Sequence, residues 1–108
     1  MTGQVIDEER MGNALSFLAE TDDSYALAKA DMLRGEILSK RARARVFVTG
    51  EGSVEARKAA AEIHTEVTAA DDELIRATVE FEALRAKRQR AELVVEVWRS
   101  LEASRRKA

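Results

Sequence analysis

Apolar positions along this chain recur at alternating spacings of three and four, the period of helices that bury one face. The first such segment opens with Asp7, Glu8 and Glu9, whose carboxylates suit the positive end of a helix dipole. The spacing predicts a short helix over 7–19, with Met11, Ala14, Leu15 and Leu18 on its apolar face and Phe17 beside it, weakened by Gly12 and Asn13. Thr21, Asp22 and Asp23 then offer side-chain acceptors to the unpaired amides of the next helical turn. A second helix is predicted over 23–48, placing Ala26, Ala30, Leu33, Ile37, Ala44 and Phe47 on one stripe that Lys40 interrupts. That stripe needs a partner helix.

The segment Thr49-Gly50-Glu51-Gly52-Ser53 reads as a reversal: its glycines supply backbone freedom, and Ser53, helped by Glu55, can cap the next helix. Beyond it, Ala60, Ile63, Val67, Ala70, Leu74, Ala77, Phe81, Leu84, Arg88, Ala91, Val95 and Trp98 hold the three-four alternation over more than five heptads. A third helix is therefore expected over 53–105, about 75 Å long at about 1.5 Å per residue. The rival reading breaks it near Thr65 to Asp72, where Thr65 and Thr68 are mediocre helix formers and Thr68 with Asp71 resembles a capping box. Unbroken heptad phase favours continuity. The expected architecture is a single all-α domain over 1–108: an antiparallel helical hairpin or coiled coil with a short N-terminal helix and one long C-terminal helix.

Helix lengths then suggest association. The second helix can cover only about 39 Å of the third, leaving Leu74 to Leu101 to bury its stripe elsewhere. Val94, Val95, Trp98 and Leu101 form a broad apolar face that a short first helix would not easily conceal, and exposed faces of that kind mark association. Together with Phe81 and Leu84 they are the expected interface of a homodimer or higher oligomer, or of a complex with another protein. Gly35, inside the second helix, costs about 1 kcal/mol relative to Ala, which close approach of a neighbouring helix would offset. Small residues at Ala70, Ala77 and Ala91 fit the same tight spacing.

Composition strengthens the helical reading. Hydrophobic residues are 45% of 108, charged residues 35%, there is no Pro, and only Phe17, Tyr25, Phe47, Phe81 and Trp98 are aromatic. A chain of this size supports one modest core. With 18 basic and 20 acidic residues the net charge is −2, so nucleic acid or anionic lipid could be attracted only by local patches. The absence of Cys removes disulfides, thiolate metal sites and thiol nucleophiles. Met1 to Glu9 lacks a basic-then-apolar leader and no stretch approaches about 18 apolar residues, so no membrane span and a cytoplasmic location are expected.

Candidate chemistry is sparse. His64 is the sole histidine, and Glu62 and Glu66 beside it do not make a metal set with defined ligand spacing, so an exposed polar role is expected. Asp71, Asp72 and Glu73 point about 100° apart on a helix and do not converge on one cation. Gly50-Glu51-Gly52 lacks the Lys-Ser/Thr of a phosphate loop. No catalytic, cofactor-binding or metal residues are therefore assigned, no cofactor is expected, and the chain reads as a non-enzyme. Basic residues do cluster: Lys40, Arg41, Arg43 and Arg45 precede the reversal, and Arg57 and Lys58 come after it. These six are the candidate phosphate contacts of a DNA-associated accessory protein, the second functional reading. Arg85, Lys87, Arg88 and Arg90 form another cluster, as do Arg105, Arg106 and Lys107, but interleaved aromatics that would stack on bases are missing. Arg88, at a stripe position, is expected to set register or to pair with an acid across the interface.

The stretch from Leu84 through Glu92-Leu93 and on through Val97-Trp98-Arg99 to Arg105 resembles small helical proteins encoded by tailed bacteriophages and prophages. That resemblance implies a viral accessory protein, among early genes of DNA metabolism or recombination, and carries over no site residues.

Overall fold

The computed structural model describes residues 6–107. They form four helices, α1 (Glu8–Glu20), α2 (Asp22–Thr49), α3 (Val54–Ile63) and α4 (Thr65–Lys107), with no strand among the described residues. The all-α class, the reversal after α2 and the long C-terminal helix are as the periodicity predicts. Met1 to Val5, part of the segment read for a leader, lie outside the described residues. No described helix is long and apolar enough to cross a membrane.

Contacts group into two compact units. The first contains α1, the opening turn of α2 and α4 from Glu82 onward; the second contains α2 from Ala26, α3, and α4 up to Phe81.

In the first unit, Asp7 caps α1 by accepting the Arg10 N–H at 2.8 Å, and the Thr21 hydroxyl closes the other end on the Phe17 carbonyl at 2.7 Å. The helix so bounded lays Ala14 against Ala91 and Val95, with Phe17, Leu18 and Val94 packed around them. Alanine at both contact points lets α1 sit close to α4, so a 13-residue helix conceals more of that face than its length suggests.

In the second unit, α2 buries Gly35, Ser39, Ala42 and Val46. Ala42 and Val46 meet Ala61 and Val67, and Ala70 packs against that cluster. This corrects the expected stripe of α2. Leu33 and Ile37 are 44% and 49% exposed, and Ala26, Ala30 and Ala44 are exposed beside them. The buried face carries the same three-four period one helix side away, but in small residues. A Cβ at Gly35 would lie 3.1 Å from the Leu74 Cα, so the smallest side chains face α4 because its backbone runs against them.

The stripe expected on the third helix is largely present in α4, where Val67, Ala77, Phe81, Ala91 and Val95 are buried. Its continuity over 53–105 is not. The chain breaks at His64, whose ψ of 138° is extended, and α3 buries Ala61 while Ile63 is 82% exposed. The histidine stabilises the break by capping α4: its Nδ1 accepts the Glu66 N–H at 3.0 Å, and its carbonyl accepts the Thr68 N–H at 2.9 Å and the Thr68 hydroxyl at 3.1 Å. Ser53 caps α3 in the usual way, accepting the Ala56 N–H at 3.2 Å, and Gly52 reverses the chain at a φ of 95°.

Candidate functional site

The basic residues flanking the reversal belong to the second unit, and half of them are already engaged. Arg43 forms a two-pronged pair with Asp71, donating from Nη1 to Oδ1 at 2.9 Å and from Nη2 to Oδ2 at 2.7 Å, while its Nε donates to Glu62 at 3.0 Å. Buried Ser39 completes the network, donating to Asp71 at 2.6 Å and accepting from Arg43 at 2.6 Å. The Arg43 hydrogen bonds, then that of Ser39, hold the Asp71 carboxyl below its ordinary range, and the two carboxylates push the Arg43 guanidinium upward. Arg45 pairs with Glu66. The guanidinium of Arg57 lies 5.7 Å from the centre of the Phe47 ring, and its Nε is buried without a hydrogen-bond partner.

Lys40, Arg41 and Lys58 remain exposed. Among the described residues, only these three of the six candidate phosphate contacts therefore present a charge that no carboxylate or ring already occupies. Lys58 also borders an open groove of about 530 Å³ lined by Ala44, Phe47, Val48 and Ala61, and the lining is apolar apart from its rim.

Asp71, Asp72 and Glu73 do not converge. Asp71 is held by Arg43, Glu73 by Arg76, which holds the Glu73 carboxyl below its ordinary range, and Asp72 is exposed. Among the described residues no group of three or more His, Asp or Glu is placed to hold a metal ion.

In the first unit Arg88 is engaged within the chain. Its guanidinium donates to the Leu18 carbonyl at 2.9 Å, to the Thr21 hydroxyl at 2.6 Å and to Asp22 at 2.8 Å, and it lies 4.9 Å from the centre of the Tyr25 ring. It thereby satisfies a carbonyl left open at the end of α1 and fixes the α1–α2 corner. The expectation that it pairs across an interface is corrected: the acid is the chain's own.

The six residues expected to form an oligomer interface are dispersed by depth. Phe81 and Val95 are core residues of the chain itself, each 7% exposed. Val94 packs on the Ala14 cluster, Leu84 and Trp98 are half-buried, and Leu101 is exposed. Trp98 borders a pocket shared with Ile6, Asp7 and Glu8, where the start of α1 reaches it.

An exposed apolar face outside that set lies on α2. At about 100° per residue, Ala26, Ala30, Leu33, Ile37 and Ala44 lie diametrically opposite Gly35, Ser39, Ala42 and Val46, so α2 carries two heptad-like stripes, one buried and one open. The signal for the open stripe is present in the sequence. What cannot be read there is that the large residues face outward, because small residues alone can meet α4 at this distance. No family model, curated protein or solved structure matches this chain.

Proposed function

We propose that this chain is a non-enzymatic assembly protein that associates with further copies of itself through helical faces its own fold leaves open. The observation that carries this reading is an inversion of the usual distribution of large apolar side chains. Among the described residues, only Val46, Val67, Phe81 and Val95 of the buried hydrophobics are larger than Ala, while thirteen large hydrophobic side chains are exposed, among them Leu27, Leu33, Ile37 and Leu38 on α2. Exposed apolar residues that share one helix face, as Leu33 and Ile37 do on α2, are a feature of association sites. Sedimentation equilibrium across a wide concentration series tests it: a mass that rises to a multiple of 12.0 kDa supports the reading, and a monomer at every concentration refutes it.

A second reading, a DNA-associated accessory protein, draws on exposed Lys40, Arg41 and Lys58 near the reversal, and is the setting that the resemblance to phage proteins suggests. Fluorescence anisotropy with labelled single- and double-stranded DNA tests it. Three phosphate contacts would give a slope of log affinity against log salt of about −2 to −3, whereas no binding at low salt rejects the reading.

A further inference from the structure

The open stripe of α2 also carries a pattern specific enough to name its occupant. We infer that it pairs antiparallel with the same stripe of a second copy, in the register that sets Leu33 opposite the partner's Ala30 and Ile37 opposite the partner's Ala26. This inference rests on the self-assembly reading above and adds the face, the direction and the alignment.

The usable length is set by the fold. Ala44 and Phe47 border the groove beside α3, so the unobstructed part of the stripe runs from Ala26 to Ile37, wholly within the second unit. Over that length the small residues come first and the large ones after: Ala26 and Ala30, then Leu33 and Ile37. An antiparallel pair in the stated register seats each large side chain against a small one, twice by symmetry, which is how close helix packing is filled without voids.

Charge selects the same alignment. Lys29 and Glu36 lie on one flank of the stripe, each next to a seam position, and neither forms an ion pair among the described residues. In the stated register Lys29 faces the partner's Glu36, and Glu36 the partner's Lys29. Sliding the pair to set Ile37 opposite the partner's Leu33 stacks large on large and brings Glu36 against the partner's Glu36 and Lys29 against the partner's Arg43. A parallel pair in register places Lys40, a seam residue, against the partner's Lys40. Like charges in such positions oppose pairing, so one arrangement satisfies both shape and charge.

The test uses charge exchange, read by sedimentation equilibrium on the full chain, with circular dichroism confirming that each variant stays helical. Both positions are exposed and unpaired, so the substitutions do not strain the fold. Glu36→Lys turns two attractive flanking contacts into repulsive ones and is expected to weaken association about tenfold or more. Lys29→Glu should do the same. Mixing the two variants, one with two lysines on the flank and the other with two glutamates, should restore association, as should the double exchange Lys29→Glu/Glu36→Lys in one chain. A wild-type monomer would overturn self-assembly and this inference together. A wild-type oligomer that Glu36→Lys leaves intact, or variants that fail to rescue each other, would overturn the register alone.

Discussion

Replacing Gly35 by alanine sets two opposing effects against each other at one position. Helix propensity favours alanine by up to about 1 kcal/mol, because glycine in a helix interior gives up more backbone entropy on folding. Packing opposes it. The new methyl group would stand 3.1 Å from the Leu74 Cα, 3.2 Å from its Cδ1 and 3.4 Å from its Cβ, and the first of these is backbone on α4 that no rotamer change can move. Relieving the contact requires α2 and α4 to separate by a few tenths of an ångström along a seam held by Ala42, Val46 and Val67, where loosened contacts are lost together. Overpacking of this kind costs about 1–3 kcal/mol, so the expected net effect is a loss of about 1 kcal/mol, or about 4–8 °C in Tm. Gly35→Leu should lose several times as much. The assay is thermal unfolding monitored by circular dichroism at one fixed protein concentration, since association would itself shift Tm. Ala83→Gly, at an exposed α4 position, calibrates propensity alone and should cost about 1 kcal/mol. A Gly35→Ala variant that gains the full benefit of helix propensity would show that the helices do not meet closely at this point, and the reason given for α2 burying its small residues would fall with it.

The polar contacts and the core set further outcomes. Arg88→Ala removes hydrogen bonds to Leu18 and Thr21 and the contact with Tyr25; it should cost about 2–3 kcal/mol, with little of that from the exposed Asp22, and Arg88→Lys should recover only part in the same unfolding assay. Because the folded state holds Asp71 below its ordinary value of 3.8, the stabilisation from Asp71 is complete above that pH and is lost as pH falls through the lower folded value; Asp71→Asn should flatten the acid limb of a stability-against-pH curve, and an unchanged limb would contradict the pairing with Arg43. Phe81→Ala should cost about 3 kcal/mol, since it empties the largest buried side chain, whereas Leu101→Ala, at an exposed site, should stay within about 0.5 kcal/mol in denaturant unfolding. His64→Ala removes the acceptor for the Glu66 amide and should cost about 1 kcal/mol, while His64→Asp, a stronger cap, should at least retain stability.

Where the periodicity is legible and where it misleads has one physical origin. Along α4 the large residues of the predicted stripe and the buried residues coincide at Val67, Phe81 and Val95, which identify the core face directly, while Ile75, Val79 and Leu93 lie off that stripe and are exposed. Along α2 they do not. A stripe of Leu, Ile and Ala and a stripe of Gly, Ser, Ala and Val both repeat at the helical period, and transfer free energy alone ranks the first as buried. The second wins because Gly35 and Ser39 admit the α4 backbone to van der Waals distance, and because Ser39 meets Asp71 and Arg43 in a network that a larger apolar residue would break. Glycine in a helix interior is the visible sign of that approach, and it marks the buried side correctly even though the large residues of the periodic pattern point to the opposite one.

The break at His64 has a similar cause. The sequence places a three-four pattern straight through it, and the competing cap lies in a histidine side chain, outside the usual Ser, Thr, Asp and Asn capping set. The slip it introduces puts Ala61 in place of Ile63 on the buried side of α3, again a large residue turned outward and a small one inward. Two independent elements thus place their smallest residues at the internal contact and present their largest to solvent. A monomer loses by that arrangement on balance, since closer packing of alanines recovers only part of the transfer free energy that exposed Leu and Ile forgo. An assembly gains from both sides at once, with close contacts inside each chain and large side chains left for contacts between chains. The open α2 stripe, with Lys29 and Glu36 unpaired along its edge, is where that division of labour can be tested first.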